Sequence, residues 1–335
     1  MKAYNLADKK EYYAQPADEY TKMIMDCAEY YIDHGSHILL LILDKKVDKL
    51  IAGETEGYAT YPQFMKSDSE FYATYRELTS SNGRWKVYKY NHESKTFAAT
   101  TSEYIADGSV TYPTSCPYFQ RWEYDKKSGY FYNAWCWRST GDVINNYDLM
   151  FIKTKNFEEF YTWTNETITL PITLENYKNC RLLEIPKGSG LINQHYIKAF
   201  PLNGNPFIWF MKYDERGYAN IFLIYDETGN IVVKQITNFD YLWAIEGNLQ
   251  SRVIDTDLMK INDTTVALNI FHRFCGNQTI LIHSDGYIEN KKCIVDGAKT
   301  GKIIKYIRNY GVRLLTEFEN PATTRDTSFG IFLID

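Results

Sequence analysis

A chain of 335 residues with 44% hydrophobic content can bury a large core, and 29 Tyr and 18 Phe beside 9 Pro favour strands over a helical or disordered chain. Its formal net charge of -5 comes without any run of Lys and Arg, which excludes the electrostatic footprint that a polyphosphate partner needs, so no nucleic acid is expected. The longest purely aliphatic run, residues 38–43, falls far below the roughly 20 residues of a membrane-crossing helix, so no membrane span is expected.

In chain order, residues 1–30 read as a peripheral N-terminal extension of one domain spanning 1–335, with a helix around 18–30. The opening eight residues carry no apolar stretch of secretory-signal length, so either a signal was removed or export takes another route. Residues 38–43, Ile-Leu-Leu-Leu-Ile-Leu, lack polar alternation and predict a strand covered on both faces. Further strands are predicted at 71–76, 85–90, 130–138, 148–153, 207–212, 219–225, 231–236, 265–271, 279–283, 311–318 and 329–334. Turn residues separate them, among them Ser81-Asn82-Gly83, Lys127-Ser128-Gly129, Thr228-Gly229 and Ser284-Asp285-Gly286. Many short strands joined by hairpin turns predict an all-β sandwich, barrel or propeller. The hairpins at 225–231 and 282–288 are alike and lie about one blade apart; at about 40 to 50 residues per four-stranded blade, a propeller of this length has roughly seven blades. The six cysteines, Cys27, Cys116, Cys136, Cys180, Cys275 and Cys293, are scattered and form no Cys-x-x-Cys pair, so they read as mostly buried thiols and not as a metal site.

A spaced series of signatures runs from Thr60 to Gln194: Thr60-Tyr61-Pro62-Gln63-Phe64, Tyr75-Arg76, Asn82-Gly83-Arg84-Trp85, Thr111-Tyr112-Pro113, Trp137-Arg138, Leu170-Pro171-Ile172-Thr173 and Ser189-Gly190-Leu191-Ile192-Asn193-Gln194. In this order the series resembles the BNR-type (BNR-4) β-propeller family, which includes ulvan lyases and related rhamnose- and uronate-cleaving enzymes. The resemblance implies a single propeller and a polysaccharide or oligosaccharide partner. It implies a location that is extracellular, periplasmic or virion-associated. It requires no cofactor, and no residue pattern indicates a structural calcium in the hub.

The resemblance also supplies candidate residues. Asp33-His34-Gly35 looks like the family's segment with a His at the propeller mouth, which makes His34 a catalytic candidate; a hydrogen-bonded structural role is the other reading. His37 would point to the opposite face of a strand and reads as structural. Ala59 stands where lyase members often place a second His, and an alanine can neither neutralise a carboxylate nor move a proton. Arg76 and Arg138 end aromatic strands, where a planar guanidinium can present a fork to a carboxylate or sulfate, or can stack on a neighbouring ring. Tyr112 resembles the position of a catalytic tyrosine, while Tyr61, Asn193 and His195 offer ring stacking and neutral donors and acceptors for sugar hydroxyls, or for contacts between blades. Uronate elimination needs a neutralised carboxylate, a base and an acid. His34, Tyr112 and Arg138 can fill those roles, with Tyr61, Arg76, Asn193 and His195 binding substrate.

Later in the chain His272-Arg273 and Arg252 follow strand-like segments, as generic polar strand ends. Three Asn-x-Thr patterns, at Asn165, Asn262 and Asn277, are too short to specify glycosylation. No zinc-protease, α/β-hydrolase, phosphate-loop or dinucleotide fingerprint is present. Three functions therefore stand: a polysaccharide lyase, a non-catalytic glycan-binding propeller of a surface or virion adhesion assembly, and a sialidase-like hydrolase. The last ranks lowest because residues 155–163 lack the Asp and Gly of an Asp-box.

Overall fold

A computed structural model describes residues 2–5, 10–13, 60–94, 96–193, 196–247, 253–292, 301–307, 312–317 and 328–333. They form six antiparallel sheets in which strands follow one another largely in chain order. β1 (Lys2–Asn5) pairs with β2 (Lys10–Tyr13). The second sheet runs β3 (Thr60–Lys66), β4 (Phe71–Thr79), β5 (Asn82–Asn91) and β6 (Thr96–Ala99), with β7 (Ala106–Asp107) also on β5. In the third, β8 (Cys116–Phe119) and β9 (Glu123–Tyr124) share one edge of β10 (Phe131–Arg138), followed by β11 (Asn146–Thr154) and β12 (Arg181–Leu183). The fourth holds β13 (Ile197–Leu202), β14 (Asn205–Tyr213), β15 (Ala219–Glu227) and β16 (Asn230–Gln235). The fifth holds β17 (Ile254–Asn262), β18 (Thr265–His272), β19 (Gly276–His283) and β20 (Ile288–Lys292). β21 (Gly301–Ile307), β22 (Val312–Glu317) and β23 (Ser328–Leu333) make the last. Successive four-stranded meanders are the blades of a propeller. The expected strand at 38–43 and helix at 18–30 lie outside the described residues.

Local chemistry explains the hairpins. At Asn203–Gly204 and at Thr228–Gly229 the φ angles are 55° and 89°, the left-handed turn geometry whose twist matches flanking antiparallel strands. Gly83 differs from expectation: the turn is Ser80–Ser81, and Asn82 and Gly83 already belong to β5. The glycine is needed for packing, because a Cβ there would collide with the Cys116 sulfur.

Aromatic side chains fill the spaces between neighbouring sheets. Trp85, Phe119, Phe131, Trp135 and Phe157 join the β3–β7 and β8–β12 sheets. Tyr118, Cys136, Phe151 and Phe210 join the latter to the β13–β16 sheet, and Trp209, Tyr225, Leu268 and Ile280 join that to the β17–β20 sheet. Each large side chain fully buried in this way contributes about 1.5–3 kcal/mol. Because β4, β10, β14 and β18 are the second strands of matching meanders, their C-terminal ends come to one face. Hydrogen bonds between sheets fix that alignment: Gly83 N to Ser115 O at 3.2 Å and Tyr196 Oη to Ile254 O at 2.8 Å on this face, and Asn203 N to Asp263 O at 2.9 Å on the opposite one.

Candidate functional site

Arg76 lies near the end of β4 and Arg138 ends β10, so the sheet alignment puts both on the face just described. Pairing across the strands sets Arg138 opposite Cys116 on one side and Asn146 on the other. Both arginines are buried, at 5% and 6% exposure. They share one ring: the guanidinium carbon lies 3.9 Å from the Tyr118 centroid for Arg138 and 5.0 Å for Arg76, which also sits 4.7 Å from the Tyr61 ring. Tyr61 meets Tyr118 edge-on at 5.9 Å.

Neutral groups hold Arg138. Its Nε donates to Asn146 Oδ1 at 3.0 Å, Nη1 to Gly141 O at 3.2 Å and Nη2 to Asn193 Oδ1 at 3.0 Å. Asn146 Nδ2 in turn donates to Leu191 O at 2.9 Å and Asn193 Oδ1 at 3.1 Å. Three of the five guanidinium N–H bonds are thus used, and none meets a carboxylate. Arg76 is less well provided: Nη1 reaches the Cys116 sulfur at 3.6 Å, and its buried Nε has no partner. Among the described residues neither arginine forms an ion pair, whereas Arg84, Arg181 and Arg216 each do. Sharing Tyr118 puts the two guanidinium carbons within about 9 Å of each other, where their repulsion at an effective dielectric of 20 is about 2 kcal/mol.

The groups between the arginines stay neutral. Burial pushes the Cys116 thiol up to about 11, although both guanidiniums pull the other way. Burial likewise pushes the Tyr118 phenol up to about 12, with Cys116 adding to the rise and Arg138 and Arg76 opposing it. Its hydroxyl donates to Ser80 O at 3.2 Å. Neither is a nucleophile or base near neutral pH. Of the four described cysteines, Cys116, Cys136 and Cys180 are buried thiols and Cys275 is exposed. No cluster of three His, Cys, Asp or Glu side chains among the described residues could hold a metal ion, and none of their helices is long and apolar enough to cross a membrane.

The structure gathers Tyr61, Arg76 and Arg138 around Tyr118, with Asn193 bonded to Arg138. Tyr112 stands apart, 94% exposed on the 108–115 loop, with no hydrogen bond or ring contact to either arginine among the described residues. The loop is closed at its base by Ser115 N to Gly108 O at 2.9 Å and Gly108 N to Gly83 O at 2.9 Å, which anchors it beside Cys116. His34, His195 and Ala59 lie outside the described residues. Sequence reasoning missed Tyr118, Cys116 and Asn146. Tyr118 and Cys116 sit on a four-residue strand containing Pro117, too short for alternation to be read; Asn146 opens a strand whose predicted start was two residues later.

A concavity of about 810 Å³ opens on the opposite face, lined by the inner strands of four sheets. Its cations are partly compensated, Lys198 by Glu123 at 3.1 Å and Lys260 by Asp263. The arginine face is where two buried cations without an ion pair share one ring; Lys153, also buried, donates to Trp163 O at 3.4 Å.

Residues 20–239 match the BNR repeat-containing family. Among solved structures the chain resembles the polysaccharide lyase Uly1, with TM-score 0.52 and 13% identity over 83% of this chain and 58% of that one. It also resembles an ulvan lyase of polysaccharide lyase family PL25, with TM-score 0.56 and 13% identity over 82% of this chain and 64% of that one. The chain thus spans about three fifths of the length of these lyases, and at such identity the likeness is one of fold. No curated protein matches it in sequence. With the family matched over well more than half its length and blade-like meanders in the described sheets, the chain belongs to the BNR repeat-containing family and has its propeller fold.

Proposed function

We propose that this chain is a carbohydrate-active propeller protein that takes an anionic, uronate- or rhamnose-containing polysaccharide or oligosaccharide at the Arg76–Arg138 face and cleaves it by β-elimination. The observation that carries this reading is the pair of buried guanidiniums on Tyr118, neither of which forms an ion pair with a carboxylate among the described residues. A uronate carboxylate between them would turn a repulsion into two attractions and give Arg76 Nε a partner. The likeness in fold to two polysaccharide lyases supports the same reading.

In such an elimination, Arg138 neutralises the carboxylate and so acidifies the C5 proton. A base removes that proton, its electron pair forms the C4–C5 double bond, and the C4 oxygen departs with a proton from an acid. Tyr112 and His34 are the residues proposed for the two proton transfers, with Tyr61, Arg76, Asn193 and His195 binding the sugar and no cofactor required. A glycan of this kind places the protein at an extracellular, periplasmic or virion surface. Incubation with uronate-bearing glycans should raise the ultraviolet absorbance of an unsaturated product, and Arg138→Ala should abolish it. Silence across a broad panel, with reducing ends unchanged, would overturn the proposal.

A second reading, glycan binding without cleavage, is favoured by two particulars. Ala59 replaces a histidine expected from the family pattern, and the tyrosine touching both arginines, Tyr118, holds its proton up to about 12. It predicts binding without turnover, unchanged by His34→Ala and lost in Arg138→Ala; any turnover by the wild type rules it out.

A further inference from the structure

The exposed large hydrophobic side chains among the described residues are unevenly placed. Ile231 and Val233 lie on the edge strand β16, and Ile261 and Tyr287 lie towards the face opposite the arginines. The other four, Val110, Tyr112, Leu242 and Phe274, sit on loops of the arginine face. Val110 and Tyr112 belong to the 108–115 loop. Leu242 and Phe274 belong to a separate patch at the ends of β14 and β18.

That patch is rigidly built. The rings of Tyr241 and Phe274 stack with centroids 4.5 Å apart and planes 13° apart, leaving the outer side of Phe274 open at 57% exposure. Behind them the buried His272 ring packs on Phe239 at 4.5 Å and against Tyr241 at 5.6 Å. Its Nδ1 accepts from Phe274 N at 3.1 Å and Cys275 N at 2.9 Å, fixing the turn that presents the phenylalanine. Arg273 lies 5.6 Å from the Phe274 ring and is exposed to solvent. Hydrogen bonds join the far end of the loop that carries Leu242 to the arginine site. Gly247 N donates to Asp142 Oδ1 at 2.7 Å and Val143 N to Gly247 O at 3.2 Å, and Gly141, next to Asp142, supplies the carbonyl that holds Arg138. Leu242 is five residues from Gly247, at most about 18 Å along an extended chain.

We propose that the Tyr241–Phe274 pair, with Arg273 beside it, is a remote subsite on which a sugar ring of the anionic glycan stacks while a charged unit of the same chain occupies the arginine pair. This rests on the function proposed above. The occupant follows from the surface: a flat, exposed aromatic face suits the C–H side of a pyranose ring, the adjoining guanidinium suits its carboxylate or sulfate, and the patch continues the arginine face through Asp142. A preformed aromatic platform needs no ordering on binding, which conserves affinity.

The test is calorimetric titration of the full chain with uronate-bearing oligosaccharides of increasing length. Wild-type affinity should rise with length until the chain reaches the patch. Phe274→Ala and Tyr241→Ala should each remove that rise, weakening long ligands by about tenfold and leaving the shortest unchanged. Phe274→Trp should restore it, and Tyr287→Ala on the opposite face should have no effect. If Phe274→Ala and Tyr241→Ala bind long and short ligands as the wild type does, the subsite is refuted while the function stands. If the wild type binds no anionic oligosaccharide of any length, the function itself has failed.

Discussion

Asn193→Asp tests the central electrostatic argument with almost no change in shape. Asn193 Oδ1 already accepts from Arg138 Nη2 at 3.0 Å and from Asn146 Nδ2 at 3.1 Å, and a carboxylate oxygen can accept both bonds. Its Nδ2 makes no hydrogen bond among the described residues, so little is lost by replacing it. The substitution turns a neutral clamp into an ion pair of Arg138, and at a site this buried the desolvation cost roughly offsets the new attraction. Stability from urea unfolding should stay within about 1 kcal/mol of wild type. Anion binding should collapse: a negative charge about 6 Å from a bound carboxylate costs about 3 kcal/mol at an effective dielectric of 20, or about 100-fold in Kd. Titration with a uronate oligosaccharide reads this directly. An Asn193→Asp protein that folds normally and binds within about threefold of wild type would refute the claim that Arg138 is kept unpaired for a ligand.

Three further outcomes follow from the same geometry. Gly108→Ala should lower stability by about 2 kcal/mol or more, read by denaturant midpoint, because the added methyl strikes the Ser115 carbonyl and spreads the base of the Tyr112 loop. Stability should be fully present below about pH 9 and fall as the pH climbs through 11 and 12. Burial holds the Cys116, Cys136 and Cys180 thiols at about 11, 12 and 12 against an ordinary 9.0, so only the unfolded chain releases those protons first, at about 1.4 kcal/mol per pH unit for each thiol. A flat urea midpoint between pH 8 and 11 would contradict this. In thiol titration of the native protein, Cys275→Ser should remove one fast-reacting equivalent, whereas Cys136→Ser should change only the count after unfolding.

Much of the strand pattern was legible from residue order. The second and third strands of the sheets, such as Phe71–Thr79, Phe131–Arg138, Asn205–Tyr213 and Ala219–Glu227, are aromatic and β-branched runs bounded by turn residues, and the expected segments fall on them. The first strands were harder to see. Cys116–Phe119 and Ile197–Leu202 contain Pro117 and Pro201, and Ile254–Asn262 is polar and only partly buried. Such strands form one edge of their sheets, where a proline costs no ladder bond.

What the sequence determined by itself was local: β-structure from aromatic strands and hairpin turns, a lineage from spaced signatures, and two arginines at strand ends. What only the tertiary structure decided was the state of those arginines. Whether a guanidinium is compensated depends on groups far away in the chain. Arg138 is held by Asn146 and Asn193 and lies on Tyr118, while Arg76 reaches the same ring from another sheet. Likewise Tyr112 resembles by its neighbours the position of a catalytic tyrosine but stands in solvent on a closed loop. Short-range pattern fixes which way a side chain leaves its strand; charge, burial and protonation are sums over everything the fold brings near it.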